Sequence, residues 1–163
     1  MKSLMRMPTL LMLLLSALLL GACGSKPVTL ADLPVYPGAT ELKPGESTIA
    51  DTLKNNGQQD AAVRQAAGVG GSTTQKGFDL PADATWDQVK AFYTDKLKAS
   101  GWTEGLGGPA GTIANQALSQ VNQASSAFQT NMYSKDKQTL TVMRLTLPSD
   151  ATKVQLILSL STQ

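Results

Sequence analysis

Cys23 is the only thiol in this 163-residue chain, and there is no histidine. Those two facts bound the available chemistry. Without imidazole, Ser-His-Asp and Cys-His nucleophile activation are excluded, together with the commonest ligands for zinc and copper. A single Cys also excludes an internal disulfide. Three other groups of residues could do chemistry. Asp79 and Asp83 lie near one another and could serve as a carboxylate pair, although Asp83, two residues past Pro81, equally suits a turn. Met132 and Met143 fall on segments that look like neighbouring strands, and paired thioethers are soft enough to hold Cu(I). Trp86, Trp102 and Tyr133 could line a ligand pocket, and their surroundings suit core residues just as well. No Gly-x-Ser-x-Gly elbow occurs, and the glycine-rich stretch 105–111 lacks the Lys-Ser or Lys-Thr that completes a phosphate-binding loop.

Cys23 is best understood from what precedes it. Lys2 and Arg6 begin the chain, an apolar run follows over 10–20, and Gly21-Ala22 leads to Cys23. This is the order of a secretory signal. The apolar run is too short for a comfortable membrane span, which needs about 20 residues. Leu20-Gly21-Ala22-Cys23 resembles the lipobox of bacterial lipoproteins. The resemblance implies a signal peptide over 1–22, removed before Cys23. It also implies a covalent lipid on Cys23, a diacylglyceryl group on sulfur and an acyl group on the new amine. Two or three chains give stable anchoring where one binds only marginally. Gly24 stands where Asp would favour retention in the inner membrane, so the expected location is the outer membrane. Residues 23–33 form a tether, and 34–163 a single α+β domain with a possible insertion at 45–72.

Of the 14 basic residues, Lys2 and Arg6 leave with the signal, so the mature chain balances 12 basic against 12 acidic residues. A neutral domain argues against a nucleic-acid partner and against electrostatic docking onto anionic lipid. No cofactor is expected beyond the covalent lipid.

These residues need elements to position them. Thr85 and Gln88 form a capping box, and Trp86, Val89, Phe92, Tyr93 and Leu97 recur at helical spacing before Gly101. Residues 85–100 are therefore predicted as an amphipathic helix packed on a sheet. Ile113, Ala117, Val121 and Ala124 imply a second, polar-rich helix. In 45–72, Asn55-Asn56-Gly57 reads as a turn between two short helices, and Ala62, Ala66 and Gly70 as a small-residue stripe; a glycine- and glutamine-rich surface insertion is the alternative. Segments 127–133 and 139–147 read as a hairpin, with a turn at 148–150. The last strand alternates, with Val154, Leu156, Leu158 and Leu160 inward and Gln155, Ser159 and Ser161 facing water. The expected fold is an antiparallel sheet of about four to six strands against one main helix, with one or two short extra helices.

Pro34-Val-Tyr-Pro-Gly-Ala39, Phe92-Tyr-Thr-Asp-Lys-Leu97 leading to Gly101-Trp102, and the alternating terminal hairpins resemble a family of small, mostly uncharacterised bacterial envelope lipoproteins from Deinococcus-like and Chloroflexus-like lineages. The resemblance implies a fold and a location and transfers no catalytic residue. The expected function is a lipid-anchored, non-enzymatic accessory or structural subunit of a surface complex, S-layer or porin-associated, with an envelope protein as partner. The alternatives are a redox or copper-binding envelope protein with non-histidine ligands, and a small-ligand-binding lipoprotein.

Overall fold

The computed structural model describes residues 26–67, 70–147 and 150–163. Its elements run β1 (Thr40–Glu41), α1 (Thr48–Ala66), β2 (Ser72–Leu80), α2 (Trp86–Ala99), β3 (Thr103–Glu104), α3 (Gly108–Ala124), β4 (Phe128–Lys135), β5 (Gln138–Leu147) and β6 (Asp150–Thr162). The strands form one antiparallel sheet in the order β1-β2-β6-β5-β4-β3. The protein is thus α+β, with helices packed against a six-stranded sheet. β4 and β5 are joined through the pair Lys135–Gln138, which leaves Asp136 and Lys137 as a two-residue turn. Asp136 takes the left-handed conformation there, with φ 51°. An Asp side chain tolerates that region better than most.

One sheet face builds the main core. Leu140 and Val142 of β5, and Leu156, Leu158 and Leu160 of β6, pack with Val89, Tyr93 and Leu97 of α2. Each end of α2 is written in its local sequence. Thr85 Oγ1 accepts from the Gln88 backbone N–H, and the Gln88 side chain accepts from the Thr85 backbone N–H at 2.9 Å. At the other end Gly101, at φ 81°, donates to the Lys98 carbonyl and Trp102 donates to the Leu97 carbonyl. These paired bonds, with Leu97 and Trp102 both in the core, form a Schellman stop. Trp86 and Phe92 are only half-buried; Phe92 meets Tyr36 and Tyr93 edge-on, with ring centroids 5.3 and 5.1 Å away.

The second sheet face departs from expectation. Gln155 and Ser159 do not face water: they are buried, because α1 lies over β2. Their polar groups are satisfied beneath it. Ser47 Oγ donates to Gln155 Oε1 at 2.6 Å, and Gln155 Nε2 donates to Asp79 Oδ1 at 3.0 Å. Gln75 Nε2 donates to Ser159 Oγ at 3.3 Å. Ser47 Oγ also accepts from the Ala50 N–H at 3.2 Å, so one hydroxyl starts α1 and ties it to the sheet. The expected pair of short helices is one continuous 19-residue helix. Asn55-Asn56-Gly57 does not turn the chain, because Gly57 sits against Thr73 and Gln75 of β2 and the contact holds the helix through a locally unfavourable sequence. Ala62 and Ala66 of the small-residue stripe are exposed.

α3 runs beside the outer edge of β4. Asn122 aligns its amide with the β4 backbone as another strand would: Nδ2 donates to the Thr130 carbonyl and Oδ1 accepts from the Thr130 N–H, both at 2.7 Å. Seven residues earlier, Asn115 does the same to Leu106, at 3.0 and 3.2 Å. At Gly111 a side chain would collide with the Leu106 carbonyl, so glycine lets the first turn of α3 approach the preceding loop. Among the described residues no helix is long and apolar enough to cross a membrane.

Candidate functional site

The inward side of α3 carries Asn115, Leu118 and Asn122, all half-buried, whereas its other large aliphatic residues turn outward. Ile113 is 73% exposed and Val121 42%, with Ala117 and Ala124 exposed between and beyond them. Phe128, which opens β4 just past the helix, is 40% exposed. The apolar spacing that located this helix therefore marks a surface rather than a core. Soluble domains scatter single aliphatic residues over their surfaces, but a run along one helix face marks an interaction site.

Between α2 and α3 lies an open cleft of about 620 Å³, lined by Trp86, Asp87, Lys90, Glu104, Asn115, Ser119 and neighbouring amides. Its electrostatics are self-contained. Lys90 Nζ lies 2.9 Å from Glu104 Oε1, and Asn131 Nδ2 donates to the same oxygen at 3.0 Å. Burial alone would raise the Glu104 carboxyl, but hydrogen bonds from Lys90 and Asn131 outweigh it and hold the group below the usual carboxylate range. Asn131 Nδ2 also donates to the Tyr133 hydroxyl at 3.1 Å, which in turn bonds Thr94. Burial pushes the Tyr133 and Tyr93 phenols up. A neutral ligand that exchanges hydrogen bonds fits this lining better than an ion.

The residues singled out in the sequence are not gathered into one site. Cys23 lies outside the described residues, as do Pro148 and Ser149 of the expected turn. Trp86 reaches the cleft, whereas Trp102 and Tyr133, both largely buried, line a separate open pocket of about 500 Å³ with Thr94 and Lys98. Asp79, exposed near the end of β2, accepts from Gln155 Nε2, and Asp83 is exposed in the turn closed by the Ala84 N–H and the Pro81 carbonyl. Met132 pairs with Thr141 and Met143 with Thr130, so the two thioethers are diagonal neighbours on one sheet face, both half-buried. Among the described residues no group of three or more Asp or Glu side chains could hold a metal beside them. One Ser-x-x-Lys spacing does occur, Ser134 to Lys137, contrary to the expectation that the chain has none; it falls across the β4–β5 hairpin, and the Ser134 hydroxyl donates to the Gly105 carbonyl at 2.9 Å.

The interactions that sequence reasoning missed are the amides of Asn115 and Asn122. No local pattern marks an asparagine that will pair with backbone. No protein-family model, no curated protein and no solved structure matches the chain.

Proposed function

We propose that this protein is a lipid-anchored, non-catalytic accessory subunit of a bacterial cell-envelope complex. It is held to the outer membrane by lipid on Cys23 and docked on an envelope protein through the outward face of α3. The observation that carries the reading is Ile113 and Val121 turned to solvent on a helix whose amides are spent on the preceding loop and the edge of β4. A helix with its aliphatic residues outside is oriented for a second surface. The neutral charge balance suits burial in an assembly, and a surface-layer or porin-like complex is the class of host.

Extraction of native membranes in mild detergent tests this. The wild-type chain should co-migrate with a large complex. The double variant Ile113→Asp/Val121→Asp should migrate alone with an unchanged melting temperature, because exposed positions contribute little to folding. A wild-type protein that migrates by itself sinks the proposal. The Cys23→Ser variant should leave the membrane fraction or retain its signal peptide, and unmodified Cys23 in native material would refute the anchor.

The cleft beside Trp86 supports a second reading, a small-ligand site. Its volume lies within the range of about 300–1,000 Å³ typical of ligand pockets. Trp86 is half-exposed and Trp102 buried, so a saturable change in tryptophan emission should come from Trp86 and vanish in Trp86→Phe. Emission that no envelope extract alters would count against it.

A further inference from the structure

The tether fixes which end of the domain meets the membrane. Val28 is clamped to the sheet on both sides of its peptide: its N–H donates to Gln138 Oε1 at 2.9 Å, and Gln138 Nε2 donates to its carbonyl at 2.8 Å. Gln138 is buried and also donates to Thr162, so the clamp is part of the fold. Only four residues stand between Cys23 and Val28, and five steps at about 3.3–3.6 Å each reach no more than about 18 Å. β6 alone, at 13 residues, spans about 40 Å. The end of the sheet far from Val28 is out of the tether's reach.

The charges are segregated along that same axis. At the Val28 end the β4–β5 hairpin carries Lys135 and Lys137, and Lys137 accepts at its carbonyl from the C-terminal Gln163 N–H at 2.9 Å. Lys135 Nζ donates to the Ser100 carbonyl at 2.8 Å, which ties the hairpin to the last turn of α2 with its Lys96 and Lys98. Lys26 lies two residues before Val28. Asp32, Asp60, Asp95 and Asp136 offset four of these five lysines. The far end carries Asp79, Asp83, Asp87 and Asp150 against Arg144 and Lys153. Midway, Lys76 pairs with Glu41 and Lys90 with Glu104. The near end thus holds five lysines against four carboxylates and the far end four carboxylates against two cations, so the overall balance conceals a small basic excess at the end the tether can bring to the membrane.

We infer that the lysine-bearing end formed by Val28, the β4–β5 hairpin and the C-terminal turn of α2 rests against anionic phospholipid headgroups, with the domain standing on it and the outward face of α3 turned sideways. The inference depends on lipid anchoring at Cys23. Lysines within a Debye length of about 8 Å at physiological salt feel the headgroup charge, and the carboxylates of the far end lie well beyond it. α3, lying along β4, is then presented laterally, where a neighbour embedded in or anchored to the same membrane would meet it.

The test uses the mature lipoprotein, expressed as the full chain, purified in detergent and reconstituted in vesicles of phosphatidylcholine and phosphatidylglycerol that carry a headgroup quencher. Lipid occupies Cys23, so Gln163→Cys at the near end and Ala82→Cys at the far end each offer one thiol for a fluorophore. The probe at 163 should be quenched several-fold more than the probe at 82. The difference should shrink in pure phosphatidylcholine or in molar salt. Equal quenching, or stronger quenching at 82, overturns the orientation. A preference for 163 that ignores lipid composition and salt overturns the headgroup contact. Loss of vesicle association, with Cys23 itself open to labelling, overturns the anchor instead and is seen separately.

Discussion

At the scale of single residues, burial and pairing decide what a substitution costs. Leu97 is wholly enclosed between α2 and the sheet, and Leu97→Ala should cost about 2–5 kcal/mol in chemical denaturation. Phe92, at the edge of the same apolar face, is half-exposed beside Tyr36. Phe92→Ala should fall below the roughly 3–5 kcal/mol of a fully buried aromatic, and a loss equal to Leu97→Ala would show that Tyr36 closes over it more completely. Glu104 gives the fold a pH dependence of known sign. Its folded carboxyl is held below the ordinary glutamate value of 4.5, so its contribution is present above that value and is lost as pH falls through the folded pKa. Glu104→Gln should therefore lower the melting temperature at neutral pH and flatten its acid decline, and parallel slopes for the two proteins would count against the pairing with Lys90 and Asn131.

At the scale of elements, glycines report what each segment tolerates. Gly101 at φ 81° has room for a side chain, with the nearest atom, Lys135 Cε, at 3.9 Å. Gly101→Ala should thus cost only the backbone penalty of about 1–2 kcal/mol. Gly57 lies inside α1 with ordinary space beside Gln75 and Thr73, so Gly57→Ala should stabilise the protein by about 0.5–1 kcal/mol. A melting temperature that falls in this variant would mean that Gly57 bends or loosens α1. The contrast between α1 and α2 explains what the sequence could reveal. The cap, apolar face and stop of α2 all lie within a short stretch, and local signals were enough to place it. α1 carries few apolar residues and a turn-like Asn-Asn-Gly, and is held by β2 and by the bond from Ser47 to Gln155, 108 residues away. Periodicity has no access to such a contact. Gln155 and Ser159 were misplaced for the same reason: polar residues signal a wet face unless a distant element brings their partners. In α3 the spacing of aliphatic residues located the helix but could not tell outside from inside, because the inner side is held by two amides bonded to backbone and only one leucine, Leu118.

At the scale of the whole molecule, β6 links the two halves. It joins β2, which carries α1, to the hairpin partner β5, and both faces of the sheet depend on it. Strands far apart in the chain must meet before either helix finds its support, so folding should be slower than for a helical domain of this size, which stopped-flow refolding can measure. On the proposed lipid anchor, the pairing of Asn122 with Thr130 has a further consequence. Confinement to two dimensions brings copies together at high local concentration, where an open strand edge invites another strand to add to it. β3 shields β4 at Thr103 and Glu104, and Gly105 takes the Met132 carbonyl at 2.7 Å. The Asn122 amide occupies both backbone groups of Thr130 beyond that point, so an asparagine side chain stands where a neighbouring molecule would otherwise polymerise. Asn122→Ala should leave the secondary structure nearly intact yet promote thioflavin-positive or oligomeric material on crowded vesicles, and a variant that stays monomeric at every surface density would assign that protection to the bulk of α3 instead.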